Sequence, residues 1–183
     1  MTGQALQMQF ELQRLQQRHG TAPPDTSLIP FAPATDGPMV LHGFAATSDI
    51  DADRQRIRPY ALAWLPWQLP PLLFKHDAAV VAGSIDALEY DGGGNLTISA
   101  TVSHPVARRC NHFSVGITVL AFKIVHADRP DFHANILQAR LDEVSLTDRP
   151  ANRNAIVAAR HVSLQFDITR LAKVATLMKE AMS

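Results

Sequence analysis

The sequence predicts a mainly β protein with a helix at each end, an α+β arrangement, and three stretches carry that expectation. "NLTISATVS" sets Leu96, Ile98, Ala100 and Val102 against Thr97, Ser99, Thr101 and Ser103, the period-two pattern of a strand with one buried face. "FSVGITVLAFKIV" is apolar on both faces, which predicts a central strand or closure into a barrel. Near the C-terminus, Leu164, Ile168, Leu171, Val174, Met178 and Met182 recur at helical spacing, with Asp167 or Thr169 available as a cap.

Taken in order, residues 3–18 read as an amphipathic helix, with Met8, Leu12 and Leu15 on one face and Gly20 as its stop. "TAPPDTSLIPFAPATDGP" holds five prolines in 18 residues, which neither a helix nor a central strand accommodates, so residues 1–38 form a helix and an extended arm. A β core is expected over residues 39–160, and a strand end followed by the terminal helix over 161–183. Within the core, "VVAGSIDALEY" and "LTISATVS" flank the glycine-rich "DGGGN" and should form a hairpin. "ARLDEVSLTDRPAN" is a further strand, stopped by Pro150. No repeat of 20 to 50 residues is present.

Bulk properties narrow the function. A chain of 183 residues suits one domain with a real core. Lys plus Arg and Asp plus Glu each total 17, so no global charge draws the protein to nucleic acid or an anionic membrane. Cys110 is the lone cysteine, which excludes an internal disulfide framework and suits a reducing compartment. Neither a signal peptide core nor a membrane-length apolar run is seen, and the chain reads as soluble and intracellular.

Nucleophilic catalysis needs a hydroxyl or thiol, a base within hydrogen-bond reach, and a group that orients the base. Ser114, in "NHFSVGIT", stands where an exposed stretch becomes a buried strand, on the face of Gly116 and Thr118. His76, in "LLFKHDAAVVAGSI", titrates in the range a general base requires, although it is one of eight histidines. Glu143 shares a strand face with Leu141 and Ser145, opposite Asp142, Val144 and Leu146, and is either a buried partner for an imidazole or a surface glutamate. Asp77 should point away from His76 by strand alternation, which makes it a poor orienter.

Other constellations are weaker. His104, Cys110 and His112 in "HPVARRCNH" lack the spacing of a structural zinc site, and Arg108 and Arg109 read as solvated charge. "DGGGN" lacks the lysine and following helix of a phosphate loop. Lys75 ranks below His76 as a partner for Ser114, because Asp77 flanks it and it is expected to be exposed. No cofactor or metal is implied.

The order of these segments is more specific than any one of them. "LHGFAATSDIDADRQRIRPYAL", "PLLFKHDAAVVAGSIDALEYDGGGNLTISATVS", "FSVGITV" and "LDEVSLTDRPANRNAIV" together resemble the prohead maturation protease family of HK97-type tailed phages, over about residues 40–157. The first resembles that family's opening strand, acidic loop and proline turn, and the second its histidine-aspartate strand. The third is similar to its serine-isoleucine-glycine strand with Val115 in place of isoleucine, and the fourth to its glutamate-valine-serine-leucine strand closed by proline-alanine-asparagine. Two departures stand out: "DADRQR" lacks a glycine before the aspartate, and "CNHF" ahead of the serine is more polar than the usual lead.

The resemblance implies a serine endopeptidase acting in the host cytoplasm inside an assembling prohead. It would cut scaffolding segments from major capsid protein precursors and finally itself. The implied fold is a closed or partly closed antiparallel β-barrel, distantly like that of herpesvirus assemblins, with peripheral N- and C-terminal helices. Carried over, Ser114 is the nucleophile and His76 the general base, with Glu143 as orienting group where assemblins have a second histidine. Implied partners are the capsid precursor and scaffold, with self-association and without direct nucleic-acid or membrane contact. Self-trimming would make the finish at "KEAMS" a processed or truncated boundary. The rival reading is a non-catalytic capsid-assembly or scaffolding protein with the same fold. A metal-dependent hydrolase using His104 and His112 is the third.

Overall fold

The alternation in residues 96–102 organises the sheet: Leu96, Ile98, Ala100 and Val102 are buried, and the hydroxyl-bearing residues between them are half-buried. A computed structural model describes residues 38–162 together with Gln4, Gln7, Met8, Glu11, Gln13 and Arg14. In it the chain forms β1 (Met39–Ala46), β2 (Gln55–Ile57), β3 (Leu62–Ala63), β4 (Leu72–Phe74), β5 (Asp77–Tyr90) and β6 (Leu96–Val102). A 3-10 turn (Ala107–Arg109) follows, then β7 (His112–Val125), β8 (His133–Thr147) and β9 (Val157–Val162).

All nine strands join one sheet in the order β2-β8-β4-β5-β6-β1-β9, with β3 and β7 also on β8. The β5–β6 hairpin forms as its sequence predicts, pairing Tyr90 with Leu96 across the "DGGGN" turn. There the Asp91 carboxylate accepts the Gly93 and Asn95 N–H groups at 2.9 and 2.8 Å, so the glycine-rich amides serve the turn itself. The long β7–β8 hairpin contributes some of the largest fully buried side chains, among them Phe113, Ile136, Val144 and Leu146. Met8 is buried in the same core.

Three features correct the expected fold. First, strands account for 57% of the described structure, and no complete α-helix is among the elements of the described residues, so this is a β protein rather than an α+β one with peripheral helices. Of the helix expected over residues 3–18 only Gln4, Gln7, Met8, Glu11, Gln13 and Arg14 are described, each with helical backbone, and the one expected in 161–183 lies wholly outside the described residues. Second, the sheet is mixed. β2, β3 and β4 lie parallel to β8 in succession, at Ala134–Ile136, Ala139–Arg140 and Val144–Leu146. Pro59, Pro66, Pro70 and Pro71 lack the N–H a continuous ladder needs, and they divide residues 55–74 into these short pieces.

Third, the sheet does not close into a barrel. β7 meets the chain leading into β9 only at an isolated bridge between His112 and Ile156. Two bonds flank it, from Phe113 N–H to the Ala155 carbonyl at 2.9 Å and from Val157 N–H to the Asn111 carbonyl at 2.8 Å. Beyond that point β7 pairs only with β8 among the described residues. The opening beside Val115 and Ile117 is a cleft, walled on its far side by Ala45 and Ala46 at the end of β1.

Candidate active site

Lys75 and His76 are the two central residues of the turn joining β4 to β5, between the paired residues Phe74 and Asp77. Both have positive φ, 55° and 62°. A two-residue hairpin turn with positive φ at both positions matches the twist of its strands and ordinarily recruits Asn-Gly. Holding a lysine and a histidine there costs on the order of 1 kcal/mol or more each. β8 offsets that strain: the Leu146 carbonyl accepts the Lys75 N–H at 3.0 Å, and Ser145 Oγ accepts the His76 N–H at 2.9 Å. Outside the turn, Lys75 Nζ meets Asp148 at 3.3 Å.

From this turn the His76 ring bridges two strands. Its Nδ1 lies 2.5 Å from Glu143 Oε1 and its Nε2 lies 3.0 Å from Ser114 Oγ. A carboxylate can only accept, so Nδ1 carries the proton and Nε2 is left to accept the Ser114 hydroxyl. The other carboxylate oxygen, Oε2, accepts the Ser145 hydroxyl at 2.7 Å. The three residues nominated from sequence are therefore in one hydrogen-bonded chain, running Ser114, His76, Glu143, Ser145. The hydrogen bond that His76 donates to Glu143 raises the His76 pKa above its ordinary value, and partial burial works against it. The His76 side chain is 45% exposed and that of Glu143 only 13%, so the ring faces the cleft and the carboxylate is shielded behind it.

Strand pairing explains why Ser114 and Glu143 converge. Ser114 is opposite Ser145 and Gly116 opposite Glu143, but Ile117 is opposite Leu141, so Asp142 is an extra residue in β8. This bulge overturns the expected facing. Leu141 enters the core together with Val144 and Leu146, while Glu143 and Ser145 turn to the other face, beside Ser114. Strict alternation had put Leu141 with Glu143; one inserted residue reverses the faces on either side of it. Asp142 is used elsewhere, accepting the Thr118 hydroxyl at 2.6 Å and pairing with Arg140. Gly116 makes room for the carboxylate, since a Cβ there would meet Glu143 Cγ at 2.8 Å and Cδ at 2.9 Å.

Asp77 does not orient His76; its carboxylate accepts the Ala79 N–H at 2.9 Å. The reason is not strand alternation, because His76 belongs to a turn.

The cleft beside Ser114 and His76 measures about 370 Å³. Residues of the segment 149–155 also line it, and that segment is tied down where Asn152 donates to the Thr47 carbonyl at 3.2 Å and the Ala151 carbonyl accepts the Ala52 N–H at 2.9 Å. Asp49, Asp51, Asp53 and Arg149 line it. Burial pushes the Asp51 carboxyl up to about 7, while hydrogen bonds from Asn154 and Thr47 lower that of Asp49. Sequence inspection nominated neither Ser145 nor the acidic wall. Ser145 carried a legible signal, a hydroxyl two positions from Glu143 inside an apolar strand.

The remaining nominees are dispersed. His104 stacks on Phe74 and accepts the Ala107 N–H at 3.2 Å, and the buried Cys110 thiol is pushed up to about 11 by desolvation. Among the described residues no group of three or more His, Cys, Asp or Glu side chains is placed to hold a metal ion. No described helix is long and apolar enough to cross a membrane.

No protein-family model matches the chain, and no curated protein matches it significantly.

Proposed function

We propose that the protein is a serine endopeptidase of capsid maturation, cutting scaffold or capsid precursor segments in an assembling phage prohead and finally trimming itself. The observation that carries the chemistry is the hydrogen-bonded chain Ser114, His76, Glu143 opening on a cleft. The capsid substrate rests on the ordered resemblance of residues 40–157.

In this reading His76 Nε2 takes the Ser114 proton as Oγ attacks a peptide carbonyl. Glu143, 2.5 Å from Nδ1, stabilises the imidazolium that results. His76 then returns the proton to the departing amine, leaving an acyl-enzyme. Water enters and attacks the acyl carbonyl while giving a proton to Nε2, and His76 then passes that proton to the departing Ser114 Oγ as the new carboxyl end is released. The geometry supports a working base because the Nδ1 proton is held by Glu143, which fixes the tautomer before substrate arrives.

Co-expression with the cognate major capsid protein precursor tests this. Wild type should shorten the precursor and Ser114→Ala should leave it full length. Unchanged shortening by Ser114→Ala refutes the nucleophile. No shortening by wild type, in cells where proheads assemble, favours an assembly protein whose serine is unused.

A further inference from the structure

Ser145 is fully buried in a strand whose neighbours, Val144 and Leu146, are also fully buried. A hydroxyl in such a place is costly unless both its proton and a lone pair are used. Here both are used, and by the same site: the proton goes to Glu143 Oε2 at 2.7 Å and a lone pair takes the His76 N–H at 2.9 Å. The bond to His76 falls on a residue held at positive φ, beside a second one, Lys75. A turn strained at both central residues relaxes unless its surroundings over-determine it. Two bonds from β8 do so: that of Ser145, and that of the Leu146 carbonyl to Lys75.

We propose that Ser145 is a positioning residue, which locks the strained turn carrying His76 to the Glu143 carboxylate and so keeps His76 Nε2 within reach of Ser114 Oγ. This rests on the hydrolase reading above. The Ser145 hydroxyl ties the turn of the base to the orienting carboxylate, and Ser145 itself lies opposite Ser114 across the β7–β8 ladder. It touches no reacting atom and acts through His76 and Glu143.

The test uses the full chain, with a fluorophosphonate probe to measure the reactivity of Ser114 and NMR titration of the His76 ring to report its pairing. Ser145→Ala should slow phosphonylation about a hundredfold per folded molecule, the loss expected when reacting groups shift by roughly 1 Å. Its His76 titration should fall toward the ordinary histidine value. On a Glu143→Gln background the same substitution should slow labelling far less, because the lock has already lost its carboxylate. A folded Ser145→Ala protein with the wild-type labelling rate and His76 titration overturns the proposal. Should the alanine variant fail to fold, Ser145→Cys, with its weaker donor, should label at an intermediate rate; a wild-type rate in that variant overturns the proposal equally. Ser114→Ala separates the two claims. Undiminished labelling without Ser114 defeats the hydrolase reading, whereas labelling that needs Ser114 but ignores Ser145 defeats only the positioning role.

Discussion

Gly116→Ala should disable the site while leaving the fold intact. Gly116 does not have positive φ, so its backbone accepts alanine, and the change alone would stabilise the protein by about 0.4–1 kcal/mol through the unfolded chain. Its new Cβ, however, would lie 2.8 Å from Glu143 Cγ and 2.9 Å from Cδ. Carbon atoms rest at about 3.5–4.0 Å, so the carboxylate must retreat by roughly 1 Å. The 2.5 Å contact with His76 then lengthens past the hydrogen-bond limit of about 3.2 Å. A misplacement of that size costs about a hundredfold in rate, or about 2.7 kcal/mol. The assay is the phosphonylation rate of Ser114, with urea unfolding alongside to establish that the variant is folded. On a Glu143→Ala background, Gly116→Ala should change the rate little, since the clashing group is gone. A folded Gly116→Ala protein that reacts at the wild-type rate would refute the claim that Glu143 orients His76 across this glycine.

Three further outcomes follow from two titrating groups. Glu143→Gln removes the largest cause of the raised His76 pKa, so the acid limb of the labelling rate should move to lower pH while the plateau falls about a hundredfold to ten-thousandfold. Because His76 is raised in the folded state, its pairing stabilises the protein fully below the unfolded value of 6.5 and ceases to do so as pH rises through the folded value. Urea midpoints should therefore drop more at pH 5 than at pH 9 on Glu143→Gln substitution, and an equal drop at both counts against the pairing. Asp51 has the same sign of effect: its carboxyl, raised from 3.8 to about 7 by burial, weakens the fold as pH climbs through that window. Asp51→Asn keeps an oxygen to accept the Gln55 N–H, so its midpoint should match wild type near pH 4 and exceed it above pH 7. Parallel pH curves for the two proteins would show that Asp51 is not the titrating group.

The hairpin of β5 and β6 was legible because β6 follows a period-two rule and the turn before it is rich in glycine, although β5 itself is irregular at Asp86. The parallel pairing of β2, β3 and β4 was not, although the prolines that cut them apart are plain in the sequence. Periodicity tells which face of a strand is buried and is silent on which strand lies beside it. The same limit explains the barrel expectation. "FSVGITVLAFKIV" is apolar on both faces, yet β7 is left with one strand neighbour among the described residues, and the space where another would sit is the cleft.

The sequence by itself determined the chemistry available: a serine, a histidine and a glutamate in three separate segments, with Gly116 two residues past the serine. Only the tertiary structure decided that they meet. A bulge at Asp142 turns Glu143 and Ser145 toward Ser114, and a two-residue turn, strained at Lys75 and His76, brings the ring between them. Both are departures from local regularity. Alternation predicts the regular strand, and it takes the packing of β4 and β7 on β8 to stabilise the irregular one.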